Sequence, residues 1–408
     1  MTNAKKSILV LGSGGALAHT FLFYLKNHRH LFQNVHLVSR SDFRDDSFVA
    51  LREVDATFER LNICADNREA LMKIFETRKP DIVLDLSDAP TELVAEAVFA
   101  YGKASYICCA FCTSSNLTLG DAIVEWMGKP RQLTMPHIFF TGMNPGCVNI
   151  WTEVGISKFG VPQAMVEFEY DTSRFLRWHR EKMVTWCLEE FVIEMVNDPS
   201  EVMLGRYKIK NSYPNSLYNR ENMEHLLSPV MKLESYPDGC IVGHEECITL
   251  ANKYDMPCKF VYSVNNETMA YLKQVYEEKG KMTEEDLVLA TNVQDSLVGS
   301  DNIFMRLEYA DKYVYYYNAI QNTNLKEASC TDVQVVIGVF AAIFTLMMHD
   351  LKPGIHFPED LMGTIFPKFV TDNMMIQEFV FERKDDTVSL QQSYDPHISH
   401  GSGPFIKL

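Results

Sequence analysis

The strongest constraint on the fold lies in the first 28 residues. "SILVLG" is a continuous apolar run ending in glycine, and in "GSGGALAHTFLFYLKNH", which overlaps its end, Leu17, Phe21, Leu22 and Leu25 recur at helical spacing. A strand, a turn with glycines at 12, 14 and 15, and a helix therefore follow one another directly. Such a turn lets a pyrophosphate approach the backbone at a helix N-terminus, where unpaired N–H groups and the helix dipole favour an anion. The third glycine of the G-x-G-x-x-G pattern is replaced by Leu17, so either helix and strand pack less closely or the ligand is gripped differently. Gly12, Gly14, Gly15 and Ala16 are the candidate cofactor-binding residues here.

The pattern repeats. "NVHLVSRSD", "PDIVLDLSDAP", "ASYICCAF" and "HIFFTG" read as further strands, with helices such as "TELVAEAVFAYGK" between them. Near-continuous apolar strands alternating with helices predict a parallel sheet covered on both faces, a doubly wound Rossmann domain over residues 1–150. Beyond Asn149, "AMVEFEYDTSR", "CKFVYSVNN", "NIFMRLEYA" and "KYVYYYNAI" alternate in the manner of antiparallel strands. A second α/β domain with a mixed or antiparallel sheet is expected over 151–330. A C-terminal helix and segment, 331–408, is expected to pack back on the first domain. At 408 residues the chain is long enough for two cores.

The strand ends carry the polar residues. "VSRSD" offers Ser39 and Arg40 where an acidic residue would read the ribose 2′-hydroxyl of NAD, which favours NADP, although Asp42 could still reach a ribose. "DLSDAP" offers Ser87 and Asp88, "YICCAFCTSS" offers Cys112, and "FTGMNPG" offers Asn144 and Pro145. The last of these is either a tight turn or a lip of the cofactor cleft. "VTWCLEEFVIEM" carries Trp186, Glu189, Glu190 and Glu194. The run fits an amphipathic surface helix, and it also fits a grip on an alkylammonium group by cation–π contact and ion pairing. In "IVGHEEC", His244 is followed by two acids that could hold its proton.

The excess of 54 acidic over 38 basic residues argues against a nucleic-acid partner and suits a cationic or neutral one. Ten cysteines lie mostly in apolar runs, as expected of reduced thiols in a cytoplasmic protein. Cys109 and Cys112 form one CxxC with no second pair nearby, so no metal is expected. The N-terminal apolar run is too short for a signal peptide, and Val333 to Asp350 reads as a buried helix, so no membrane partner is expected.

Taken in order, "GSGGA", "PDIVLDLS", "YICCAF", "TGMNPGCVN", "EYDTS", "VTWCLEEFVIE", "IVGHEECITLA", "GSDNIFMRL" and "CTDVQVVIGVFAA" resemble the corresponding segments of the homospermidine synthases, within the saccharopine-dehydrogenase-like enzymes. The resemblance implies a homo-oligomer and a small-molecule polyamine or amine substrate. It implies oxidation of a diamine such as putrescine by NAD, displacement of ammonia from the imine, and reduction of the resulting Schiff base by the same cofactor. His244 and Asp301 are then candidates for moving protons, Asn144 for orienting the reacting groups, and Trp186, Glu189, Glu190, Glu194, Asp88 and Cys112 for holding substrate. The family's acidic residue followed by Pro-Trp is missing near Cys112, and Leu204 stands where a pocket tryptophan would fall. These departures touch substrate identity. The rival readings are an NADPH-dependent Schiff-base reductase of the saccharopine or carboxynorspermidine type and a non-catalytic dinucleotide-binding relative.

Overall fold

The computed structural model describes residues 5–40, 54–177, 182–290, 293, 295–322, 328–384 and 387–394. Asp42 and the final segment 395–408 lie outside the described residues. The chain forms two compact units, one of Met1–Asn116, Ala122–Cys147 and Asp332–Val370, the other of Leu117–Asp121, Val148–Thr331 and Thr371–Leu408.

The first unit is built on a parallel sheet. Its strands are β1 (Lys6–Leu11), β2 (Phe32–Ser39), β3 (Thr57–Arg60), β4 (Ile82–Asp85), β5 (Ser105–Cys108), β6 (Pro136–Ile138) and a late addition, Gly354–His356. They run in the order Gly354–His356, β6, β5, β4, β1, β2, β3, and every pairing is parallel. Ile8 to Leu11 and Val83 to Leu84 are fully buried, the consequence of helices on both faces. Helices α1 (Ala16–His28), α2 (Arg68–Arg78) and α3 (Thr91–Tyr101) follow β1, β3 and β4. The helix Cys330–Met348 is long and apolar enough to cross a membrane by length and composition, but most of it is buried. Its Phe340 packs on Phe21 of α1 with ring centroids 5.1 Å apart, which marks it as a core helix.

That helix also explains the glycines of "FTGMNPG". A Cβ at Gly338 would stand 2.1 Å from the Gly142 carbonyl oxygen, so only glycine lets helix and turn touch. Gly146, at φ +137°, folds back on Gly142, and Cys147 N donates to the Gly142 carbonyl at 3.2 Å.

The second unit is built on a ten-stranded sheet. Its strands are β7 (Ala164–Asp171), β8 (Ser200–Met203), β9 (Ile209–Tyr213), β10 (Arg220–Asn222), β11 (Asp238–Val242), β12 (Cys258–Val264), β13 (Ser300–Glu308), β14 (Lys312–Gln321), β15 (Gln377–Lys384) and β16 (Thr387–Tyr394). The main path runs β9, β8, β12, β7, β13, β14, β15, β16, and β11 bridges β10 to β12. The β7–β12 pairing is parallel and the others are antiparallel, so the sheet is mixed.

β7 shows how the two faces of this sheet differ. Val166, Phe168 and Tyr170 point to one side and join a core with Val261, Phe304, Tyr315 and Phe381. Phe168 stacks on Phe304 at 4.6 Å, and Phe304 on Tyr317 at 4.4 Å. The intervening Glu167, Glu169 and Asp171 point to the other side. Alternation of this kind ordinarily places the polar face in water. Here it is buried as well.

Candidate active site

In the first unit the chemistry gathers at the carboxyl ends of β1, β2 and β4. β1 is flanked by β4 and β2, with later strands continuing outward on either side, so the turn after β1 stands at the topological switch point of the sheet. Gly12, at φ +71°, must be glycine, because a Cβ there would lie 2.3 Å from the Leu86 carbonyl oxygen. Ser13 N donates to Val38 O at 3.1 Å and Gly15 N to Gly12 O at 3.0 Å, which ties the turn to the end of β2 and leads into α1. Gly14 lies within this turn, Gly15 caps the helix, Ala16 opens it, and the first turn of α1 carries no acid. A dinucleotide pyrophosphate fits this end on both counts, close backbone approach and an N-terminus without like charge.

The neighbouring candidates are engaged with one another. Ser87 donates through both N, at 3.1 Å, and Oγ, at 2.6 Å, to Asp85 Oδ1, while the Tyr106 hydroxyl donates to Asp85 Oδ2 at 2.7 Å. Burial pushes the Asp85 carboxyl upward, and these donors oppose it. Arg40 is paired with Asp88 at 2.9 Å, so the guanidinium expected to meet a 2′-phosphate already holds a carboxylate. Ser39 ends β2 and is buried. Cys112 clamps the start of α3: its N donates to Thr91 Oγ1 at 3.0 Å, and its carbonyl accepts from Thr91 N at 2.7 Å. Asn144 is partly exposed, Pro145 is buried, and the peptide joining them is cis.

The second unit gathers Trp186, Glu194, His244 and Asp301. The strand reading of "NIFMRLEYA" is met by β13, whose register sets Asp301 opposite Asp171, and Ile303 opposite Glu169. β12, on the other side of β7, sets Tyr262 opposite Glu169 and Phe260 opposite Glu167. Successive carboxylates on β7 are therefore spaced roughly 7 Å along the strand. Helix α4 (Glu245–Tyr254) delivers the rest from its N-terminus: His244 is its cap residue, and Glu245 and Glu246 form its first turn. The His244 ring lies on Phe260 at 4.5 Å, and its Nδ1 is 2.5 Å from Glu246 Oε2 and 3.7 Å from Glu245 Oε2. Trp186 stands just before the helix Leu188–Val192, and Glu194 lies in the wider π turn Ile193–Asn197 that continues it. A regular helix over this run would put Trp186, Glu190 and Glu194 on one face, but the helix begins after Trp186 and gives way to the π turn before Glu194. Glu189 and Glu190 occupy its first turn and are half-buried, and Leu204 is exposed just past β8.

Glu167, Glu169, Asp171, His244, Glu245, Glu246 and Asp301 are each no more than 7% exposed. Placing so many carboxylates out of water is costly unless protons or cations compensate, and the titration behaviour of the group reflects that. Burial, with the adjacent Glu169 and Asp171, pushes Asp301 far above the ordinary carboxylate range. Burial also raises Asp171, although Ser173 N at 2.8 Å and Thr185 Oγ1 at 2.7 Å donate to it. Burial lifts Glu194 to about 8, with His244 opposing and Glu245, Glu190 and Glu246 adding. Burial alone would lower His244, but Glu246, Glu245 and Glu194 outweigh it and hold the imidazolium up to about 10. Within this set His244 is the one positive side chain. It serves as a standing counter-charge at neutral pH, whereas Glu194 titrates near the working range.

Two overlapping trios, His244–Glu245–Glu246 and Glu167–Glu246–Cys247, have ligand atoms close enough together to consider a metal ion. The first is already committed, because its imidazole nitrogen sits at hydrogen-bond distance from Glu246. Sequence reasoning passes over Glu167, Glu169, Asp171 and Tyr262, whereas the two acids after His244 were read as its partners. The signal for the first three was the alternation "VEFEYD", which says that every second residue is an acid but not whether that face is wet or buried.

With the architecture in hand, the chain is similar to a range of solved structures, among them two that match over most of its length. The homospermidine synthase of Legionella pneumophila, in complex with NAD, matches with a TM-score of 0.67 and 14% identity over 90% of this chain and 89% of that one. The apo saccharopine dehydrogenase (L-Glu forming) of Saccharomyces cerevisiae matches with a TM-score of 0.56 and 11% identity over 95% of this chain and all of that one. No family model matches the chain, and no curated protein matches it significantly in sequence. At these identities the likeness establishes the fold: a doubly wound parallel sheet joined to a second unit with a mixed sheet.

Proposed function

We propose that the protein is a nicotinamide-dependent enzyme of the homospermidine synthase type, joining diamines such as putrescine with release of ammonia. The observation that carries this reading is the buried acidic face of the second unit, where the row on β7 meets Asp301, Glu194 and the acids of α4, with Trp186 at its aromatic edge. A ligand bringing positive charge relieves the repulsion among these groups, and an ammonium beside an indole gains cation–π attraction. A substrate rich in carboxylates, as in the saccharopine-type alternative, would add to the repulsion. The pairing of Arg40 with Asp88 leaves less of a case for a 2′-phosphate, and NAD is the cofactor proposed.

The cofactor, when bound at the turn after β1, supplies the acceptance and return of a hydride. The residues of the chain do the rest. The turn around Gly12–Gly15 holds the pyrophosphate by backbone groups. The β7 carboxylates, with the partly buried Glu189 and Glu190, hold the ammonium groups. Glu194, poised near neutrality, takes a proton from the amine nitrogen and returns one to the departing ammonia. His244 keeps Glu246 ionised and oriented, a role of fixed charge in place of the proton transfer that the resemblance implied. Incubation of the purified protein with putrescine and NAD, followed by mass spectrometry, tests the reading. Homospermidine and ammonia without net cofactor reduction are expected. No product with either NAD or NADP would overturn it.

A further inference from the structure

The aromatic edge of the acidic site contains a finer arrangement. Trp186 is half-buried, and its Nε1 donates to the Tyr262 hydroxyl at 3.1 Å. Tyr262 is 2% exposed on β12, and its place is fixed by the strand and by two rings. It stacks near Phe260, with centroids 6.0 Å apart and planes 17° apart, and meets Phe191 edge-on at 6.1 Å and 80°. Phe191 in turn meets Trp186 edge-on at 5.9 Å and 75°. The indole is therefore held at two points, by a hydrogen bond from its N–H and by a ring against its face or edge. The phenol accepts that bond and keeps its own proton to donate. Burial first, and then Glu169, Asp171 and Asp301 around it, hold that proton on far above the ordinary phenol range. One hydroxyl thus holds the indole against β12, at the residue that pairs with Glu169 of the carboxylate row.

Resting on the reading of this face as an amine site, we propose that Tyr262 is a positioning residue: it sets the plane of the Trp186 indole relative to the carboxylates and so determines how tightly an ammonium group is held. Attraction of a cation to an aromatic ring depends on the cation lying over the ring face, so an indole free to swing about its side-chain torsions loses part of that attraction. Phe191 alone does not fix it, because an edge contact resists translation more than rotation.

Tyr262→Phe tests this while keeping both ring contacts. Titration calorimetry with putrescine is expected to show affinity reduced about 3- to 10-fold, the size associated with one net hydrogen bond. NAD affinity and the urea midpoint are expected to stay near wild type, and Trp186 fluorescence is expected to shift. In a Trp186→Phe background, Tyr262→Phe is expected to have no further effect on putrescine binding. Wild-type protein that binds no amine would defeat the reading of the site itself. Wild type that binds while Tyr262→Phe binds equally well, or loses as much in the Trp186→Phe background, would overturn the positioning role and leave the amine site standing. Should Tyr262→Phe prove unstable, Phe191→Leu, which removes the ring but keeps the hydrogen bond, is expected to cost less putrescine affinity than Trp186→Phe; an equal or larger cost would overturn the role.

Discussion

The two units bury polar groups in opposite ways. In the first, Asp85 is a single carboxylate served by three donors, and His137 is a neutral imidazole whose Nδ1 accepts from Tyr106 N at 3.1 Å, with burial and His356 holding it down to about 4. Both of these groups have protein partners of the complementary kind. In the second, Glu167, Glu169, Asp171, Asp301, Glu245 and Glu246 crowd one sheet face with His244 as the positive member of the set. A sheet that only had to fold would fill those positions with apolar residues at lower cost. The contrast is one of matching: Asp85 and His137 each have protein partners, whereas the second unit crowds buried carboxyl groups around one imidazolium, an arrangement that the proposed cationic ligand would compensate.

Several substitutions would break or sharpen that contrast. The largest effect is expected from His244→Ala, which strands Glu246 without its buried cation. Removing one partner of such a pair costs about 3–5 kcal/mol, to be read as a lowered urea midpoint, and turnover should be abolished. NAD affinity should remain near wild type; if it fell in parallel, the two interiors would not be energetically separate, and unchanged turnover would remove His244 from the mechanism.

Next comes Gly12→Ala in the other unit. A Cβ 2.3 Å from the Leu86 carbonyl, at a φ that side chains resist, should cost about 1–3 kcal/mol and cut NAD affinity while leaving amine binding intact. Retained NAD affinity would detach the glycine turn from the cofactor.

The third is a pH effect. Glu194 is held up to about 8, so it is largely protonated at pH 7 and ionises as pH rises, while His244 stays charged up to about 10. Amine affinity should therefore tighten about tenfold between pH 7 and 9, and Glu194→Gln should flatten the profile. A flat wild-type profile would exclude Glu194 as the titrating group.

The smallest change is expected from Asp301→Asn. Because the folded state raises this carboxyl, its ionisation in the unfolded chain lowers stability as pH climbs above the usual carboxylate range. The amide removes that dependence, so stability at pH 7.5 should equal or exceed wild type, in contrast to Glu246→Gln, which breaks a pair. A large loss with Asp301→Asn would mean that Asp301 is ionised in the fold.

Much of the fold was legible because local rules govern it. Continuous apolar strands between helices point to a covered parallel sheet, and β1, β2, β4, β5 and β6 follow from them, whereas the mostly exposed β3 does not. Gly354–His356 was not legible, since a three-residue strand at the sheet edge carries no alternation of its own. In the acidic site, Trp186, Glu194, His244 and Asp301 could be picked out as unusual residue types in suggestive contexts. Glu169 and Tyr262 could not, because their meaning comes from the strand pairing that sets one opposite the other, across 93 residues of sequence.

What the sequence determined by itself was the period of each element and the position of each glycine: a strand, turn and helix at residues 6–28, and an alternation on β7 with an acid at every second place. Folding alone settled that the acidic face of β7 is buried, that α4 brings His244 against it, and that Gly338 closes on Gly142. The reason is physical. Periodicity is a property of neighbours in the chain, whereas the cost of a buried charge, and hence what a site can bind, depends on groups that only folding brings together.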